Sequence, residues 1–170
     1  MQLIETKTLG SNAASVEFTS IPQDATDLVV LISARSDTNT GSKALYVGFN
    51  GSTSDFTTRS LVGSGSAPSS SSSSTGYIGQ NTQGGDTANT FSNVCLYVPN
   101  YAGSTNKGFS SGAVTENNAA AAWAIFTAGL WAQTAAITSL KISSDSDLVT
   151  GTTISLYKIT KGTDGIVVVS

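Results

Sequence analysis

The side chains that most enzymes use for acid–base and nucleophilic chemistry are sparse in this sequence. The 170 residues include no histidine, which excludes Ser-His-Asp and Cys-His catalysis and removes the commonest transition-metal ligand. The single cysteine, Cys95, excludes an internal disulfide and a Cys-x-x-Cys zinc site. No phosphate-binding GxxxxGK[ST] motif and no strand-linked GxGxxG motif occurs. The sequence therefore predicts a protein that is not an enzyme and binds no cofactor.

Eleven carboxylates remain as candidate catalytic or metal-binding groups. Two facing carboxylates are enough for a glycosidase, but most of the aspartates lie next to turn residues and nothing in their spacing pairs two of them. Asp145 and Asp147 have the spacing of part of a calcium loop. The glycine and distal glutamate of an EF-hand loop are missing, and Asp often fills turns by bonding its own backbone. We therefore expect Asp145, Asp147 and Gly151 to form a turn without a metal.

Four other residues have two interpretations each. Cys95 has no cation beside it in sequence, which favours a small buried hydrophobe over a reactive thiol. Trp123 and Trp131 form either a sugar-stacking platform or part of the core, and the core is favoured because aromatic rings dominate buried area. Arg35 follows an apolar strand pattern directly. It either anchors a subunit contact, since Arg is enriched at interfaces, or pairs within the chain with Asp27 or Asp37.

Residues 27–50 set the expected fold class. An apolar run at 28–34, rich in β-branched residues, is followed by a polar turn cluster at 36–42 and a second apolar run at 44–49. Two such runs joined by a turn predict an antiparallel hairpin. We expect its core positions to be Leu28, Val30, Ile32, Leu45, Val47 and Phe49.

The same pattern recurs along the chain. It predicts strands at residues 2–9, 14–19, 56–62, 77–78, 91–98, 108–114, 123–131, 136–143 and 152–160. Eight to ten short strands predict an all-β protein: one antiparallel β-sandwich domain, of the jelly-roll or Greek-key type, spanning residues 1–170. The serine- and glycine-rich segment 63–75 reads as a long surface loop. The apolar tail 165–170 is either a last strand or an arm laid on a neighbouring subunit.

Charge is unusually low. Charged residues make up 11% of the chain, less than half of the usual figure of about 25%. The formal charge is −3 and the basic residues are scattered, which argues against nucleic-acid binding. No apolar stretch reaches the roughly 18 residues of a membrane span. The N-terminus lacks a signal-peptide pattern, so we expect synthesis from Met1 in a cytosol.

Four segments, in this order, resemble small virion structural proteins of tailed bacteriophages. They are SIPQDATDLVVLISARS (20–36), LYVGFNGSTSDF (45–56), VCLYVPNYAGSTNKGFSS (94–111) and ISLYKI (154–159). The resemblance implies a jelly-roll subunit, present as a trimer or dimer, on a virion assembled in the host cytoplasm. Its partners would be further copies of itself and the major capsid protein.

Two roles are open within that group. A head decoration (cement) protein would stabilise the shell, and the short chain and apolar tail favour this role. A tail-fibre or receptor-binding module would contact a host-surface glycan, which the Ser/Gly/Asn-rich loops and two tryptophans favour. In either role we expect interface residues at Arg35, Asp37, Tyr101, Ile166, Val167, Val168 and Val169.

Overall fold

A computed structural model describes residues 1–39, 44–116, 118 and 122–160, and the secondary structure of this part is entirely β. The all-β prediction is therefore confirmed. The strands are β1 (Gln2–Thr8), β2 (Ala13–Phe18), β3 (Asp27–Ala34), β4 (Ala44–Phe49), β5 (Phe56–Gly63), β6 (Pro68–Ser73), β7 (Tyr77–Gln80), β8 (Ser92–Val98), β9 (Lys107–Val114), β10 (Ala124–Trp131), β11 (Leu140–Leu148) and β12 (Thr153–Ile159).

The strands form two antiparallel sheets packed as a sandwich. The larger sheet has the order β1-β12-β3-β8-β9-β10-β5-β6, and the smaller has the order β2-β11-β4-β7. Four ladders are nested along the chain: β1 with β12, β2 with β11, β3 with β8, and β4 with β7. Nested ladders shared between two sheets are what results when one long antiparallel ribbon is rolled up, which is the jelly-roll topology. The hairpins β5–β6 and β9–β10 are insertions that widen the larger sheet beyond β8.

The predicted hairpin between β3 and β4 is wrong. β3 lies between β12 and β8 in the larger sheet, whereas β4 lies between β11 and β7 in the smaller one. The connection between β3 and β4 therefore crosses from one sheet to the other. The core positions were nevertheless predicted correctly, because alternation along a strand places the same residues inward whichever strand is the neighbour. All six are at most 2% exposed: Leu28, Val30, Ile32, Leu45, Val47 and Phe49.

The predicted surface loop at 63–75 is also wrong over its central part. Residues Pro68–Ser73 form β6, which pairs with β5 in an unbroken register from Gly63↔Pro68 to Thr58↔Ser73. The serine-rich composition predicts a flexible segment here because serine contributes little to packing. Main-chain hydrogen bonds with β5 outweigh this preference for a loop, since pairing gives the N–H and C=O groups of both strands their partners.

Aromatic rings fill the core beneath the inserted hairpins. The Trp131 ring centroid lies 5.5 Å from that of Phe49 and 6.3 Å from that of Phe56. Trp131 is therefore a core residue as predicted, and Trp123 is partly buried against the same core. A side chain on Gly129 would place its Cβ 2.1 Å from the Phe109 ring, so this packing requires a glycine there. The predicted arm at 165–170 lies outside the described residues.

Candidate interaction surface

The side of the larger sheet that faces away from the smaller sheet is referred to below as the outer face. Alternate residues of each strand point to it, and the ladders align them into rows across the sheet. One row, from β5 to β1, contains Leu61, Phe126, Gly112, Cys95, Leu31, Ser155 and Thr6. The next row contains Arg59, Ala128, Ser110, Tyr97, Val29, Tyr157 and Leu3.

Large apolar side chains on this face are exposed. Leu61 and Phe126, which are paired across β5 and β10, are each 58% exposed, and Val114 on β9 is 45% exposed. Together with Pro68 and Gly112 they line an open depression of about 390 Å³, which no charged or hydroxyl side chain lines. Contiguous apolar patches of this kind on a protein surface mark interaction sites.

The outer face is almost uncharged. Among the strand residues that point to it, the charged ones are Asp27 and Arg59. Asp27 lies at the rim, where its carboxylate accepts hydrogen bonds of 3.0 Å from the Tyr97 hydroxyl and from the Asn100 main-chain N–H. The Arg59 guanidinium donates to the Thr58 carbonyl at 2.9 Å. Depletion of charge with retention of apolar groups is typical of the centre of a protein interface.

Two glycines of this face are not required by packing within the chain. A Cβ built on Gly108 or Gly112 would meet no atom within 4 Å, unlike the Cβ on Gly129. Glycine weakens a strand because it adds no side-chain packing and loses more backbone entropy on folding. The absence of side chains here keeps the outer face flat, which lets another surface approach the sheet closely.

The opposite surface, on the smaller sheet, is polar. One of its rows pairs Lys141 with Glu17 across β11 and β2. Beside it, the rings of Tyr46 and Tyr77 meet edge to face with centroids 6.3 Å apart. Burial raises the pKa of both tyrosines to about 12, and for Tyr46 a hydrogen bond to the Asp145 carboxylate adds to the effect.

A second depression, of about 260 Å³, adjoins this tyrosine pair. The side chains of Tyr46, Thr53, Thr75 and Ser143 line it. An aromatic ring with three hydroxyl-bearing side chains around it has the chemistry of a small polar ligand site. Apolar ring faces can take the C–H surface of a sugar, and the oxygens can take its hydroxyl groups.

Arg35, one of the predicted interface residues, forms its hydrogen bonds within the chain. It is 8% exposed, and its guanidinium donates to the carbonyls of Thr87, Thr90, Gly84 and Asp86 at 2.9–3.3 Å. The intrachain interpretation therefore fits better than a subunit contact, with loop carbonyls as acceptors in place of the predicted aspartates. Arg35 shapes the connection between β7 and β8.

The other predicted interface residues divide into three groups. Tyr101 is fully buried and its hydroxyl donates to the Pro22 carbonyl, so it cannot contact a neighbouring subunit and that prediction is wrong. Asp37 is exposed, its carbonyl lies close to Gly84 in the β7–β8 connection, and its place in an interface stays a prediction. Ile166, Val167, Val168 and Val169 lie outside the described residues.

Three further residues differ from their predicted environments. Cys95 is exposed on the outer face rather than buried, because it has the same parity as Tyr97 and the opposite parity to Val94 and Leu96. Asp145 and Asp147 lie inside β11 rather than in a turn, since the strand continues to Leu148.

Within the described residues, no group of three His, Cys, Asp or Glu side chains is placed to hold a metal. No helix long and apolar enough to span a membrane occurs in that part of the chain either.

The outer face was missed although the sequence contains a signal for it. β10 has apolar residues at both parities: Ile125 and Trp131 point inward, while Phe126 and Leu130 point outward. β3 is apolar at Val29 and Leu31 as well as at its core positions. Strands covered on both sides have this continuous apolar pattern. The pattern therefore predicts a second covering layer, which the described chain does not supply.

Comparisons of the chain with protein-family models, with curated proteins and with solved structures find no match. The fold is therefore assigned from the nested ladders alone. Fold does not imply function, so function has to be argued from the two surfaces described above.

Proposed function

We propose that this chain is a non-enzymatic structural protein of a tailed-phage virion, and that it acts as a head decoration protein. The observation that carries the proposal is the outer face, which is wide, nearly uncharged and apolar around Leu61 and Phe126. The segments that resemble small phage virion proteins supply the class of particle. In this proposal the outer face is laid on the major capsid protein.

Such a protein would act by binding alone. Each copy buries apolar surface that is exposed in the free protein. This burial contributes a favourable free energy of roughly 25 cal/mol per Å² of apolar area. Many identical copies on one shell, linked to each other, add their contacts through multivalency. The shell would be held together without a chemical step, which is consistent with the scarcity of catalytic side chains in the sequence.

Location on the particle is the first test. Labelled antibody against the chain should decorate the head lattice of intact virions. Labelling at the tail end alone would contradict the decoration role and favour the fibre role.

A reciprocal pair of variants tests which surface binds. Phe126→Lys adds a charge to the outer face, and Ser143→Lys adds the same charge to the polar surface. Loss of a central interface anchor costs about 2 kcal/mol or more, which is about 30-fold in affinity. We expect Phe126→Lys to lose binding to heads that lack the protein and Ser143→Lys to keep it. Equal binding by both variants would overturn the proposal.

The tail-fibre role has its own supporting observation, the depression beside Tyr46 and Tyr77. In this role the tyrosine pair replaces the two tryptophans of the sequence-based hypothesis, since Trp131 is buried. Purified protein would then bind host cells or immobilised glycans saturably. Ser143→Lys would abolish that binding while Phe126→Lys preserved it, which is the reverse of the pattern expected for decoration.

A further inference from the structure

The free edge of the larger sheet at β6 lacks the features that normally keep sheet edges from pairing. β6 is the terminal strand of its sheet, so the main-chain groups on its far side have no strand neighbour within the described chain. Its residues are Pro68 followed by five serines. The strand carries no charge, and its ladder with β5 has no β-bulge. Its one proline, Pro68, is its first residue, so the five serines that follow keep their main-chain N–H groups. Charge, β-bulges and proline are devices by which proteins protect exposed edges.

The opposite edge of the same sheet, β1, is protected. Its register shifts between Leu3 and Glu5, which twists the edge. Glu5 and Lys7 place charges along it, with 3.6 Å between the ammonium and the carboxylate. Lys7 also donates to the carbonyl of Glu17 at 2.6 Å.

The two edges of the smaller sheet are protected as well. β2 carries Glu17, and its ladder with β11 is irregular between Ser143 and Leu148. β7 has four residues, a register shift and Gly79 at a φ of +136°. Among the four edges of the described sandwich, β6 alone is regular, uncharged and open.

We propose that two copies of this chain pair through β6, antiparallel about a two-fold axis, so that their larger sheets join into one sheet of sixteen strands. About a two-fold axis, β6 of one copy pairs with β6 of the other, so the same residues and main-chain groups face each other across the joint. An uncharged serine strand can approach its copy without like charges meeting. This inference rests on the sheet edge and does not depend on the proposed function.

The surroundings of β6 fit a second copy. Strands in a sheet lie about 4.8 Å apart, so pairing through β6 would place the two β5 strands about 14 Å apart. Arg59 on β5 would then lie beyond the screening length of about 8 Å from its copy, which removes its repulsion. The apolar depression beside Leu61 and Pro68 would then lie next to the joint in each copy.

Edge charges test the proposal directly in the purified full-length chain. Ser70→Lys with Ser72→Lys places like charges across the joint, whereas Thr6→Lys with Thr8→Lys places the same two charges on the β1 edge. Like charges opposed across strands are destabilising, and we expect dimerisation to weaken by about tenfold or more for the β6 pair only. Sedimentation over a concentration series measures this, and circular dichroism checks that both variants fold.

A cysteine scan tests the geometry of the joint. In a Cys95→Ser background, single cysteines at positions 69–73 should form a disulfide-linked dimer at one or two positions, where a residue lies opposite its own copy. A chain that is monomeric at every concentration overturns the proposal. A dimer that survives the β6 lysines, or that dissociates with the β1 lysines instead, also overturns it.

Discussion

The two exposed surfaces of the sandwich are built from the same antiparallel ladders and differ in chemistry. On the smaller sheet, Lys141 lies opposite Glu17 and half-buried tyrosines keep their hydroxyl groups near polar partners. On the outer face of the larger sheet, Phe126 lies opposite Leu61 on one side and Gly112 on the other. The first pattern is that of a sheet facing water, and the second is that of a sheet facing another layer.

The inserted hairpins account for much of this difference. The nested ladders alone would give a sandwich with four strands in each sheet. β5–β6 and β9–β10 widen one sheet only, and they contribute Leu61, Gly112, Val114 and Phe126 to its outer face. Their inner sides are covered by the aromatic core, while their outer sides have no covering layer in the described chain. The candidate interaction surface is therefore a product of the insertions rather than of the basic jelly roll.

The largest effect that we predict is on the free energy of unfolding, and it differs between substitutions on the inner and outer sides of β10. Ile125 is 4% exposed and Phe126 is 58% exposed. Ile125→Ala leaves a cavity and should lower the free energy of unfolding by about 2–5 kcal/mol. Phe126→Ala should change it by no more than about 0.5 kcal/mol in the free protein. Urea unfolding of both variants measures this, and a large loss for Phe126→Ala would mean that the outer face is stabilised within the chain.

A smaller effect tests whether the flatness of the outer face serves binding. Gly112→Val adds a β-branched side chain where there is open space, so it should raise the free energy of unfolding by up to about 1 kcal/mol. The same side chain should hinder close approach and weaken attachment of the outer face. Thermal unfolding and binding to protein-free heads measure the two quantities. If the variant is more stable and also binds the heads more tightly, Gly112 has no role in an interface.

The last predicted effect depends on pH and belongs to the polar surface. The pKa of Tyr46 and of Tyr77 is raised to about 12 by burial, against a value near 10 in the unfolded chain. Between about pH 10 and pH 12 the unfolded chain loses protons that the folded chain retains, so the free energy of unfolding falls as pH rises. Replacing both tyrosines with phenylalanine should flatten this fall in urea unfolding curves. An unchanged pH profile in the double variant would show that the two tyrosines are not responsible.

Core residues and most strand positions were predictable from the sequence, whereas strand partners were not. Alternation in residues 44–49 is a local property that fixes which side chains are buried. The partner of β4 depends on contacts with β7 and β11, which are distant in sequence. β6 was missed for a different reason: it pairs with the adjacent strand β5 in a hairpin, and serine-rich composition does not show that β5 offers it a ladder. Backbone hydrogen bonding decided both cases, with distant strands for β4 and with the neighbouring strand for β6.

The candidate site was predicted less well, because residue type was given more weight than parity. Cys95 was assigned to the core since cysteine is usually buried, although its parity with Tyr97 places it outside. Arg35 was considered for an interface since arginine is common there, but its guanidinium binds loop carbonyls. Parity along β3, β8 and β10 would have predicted the outer face.

Thiol reactivity of Cys95 tests the central claim, that the outer face is covered in the assembled particle. Cys95 is the only cysteine of the chain, and it lies exposed on this face, in the row that contains Leu31 and Gly112. In the free protein it should react readily with a maleimide reagent, and in the particle it should be protected. Ser143→Cys in a Cys95→Ser background should stay reactive in both. Equal reactivity of Cys95 in the free protein and the particle, with Ser143→Cys protected, would contradict the account.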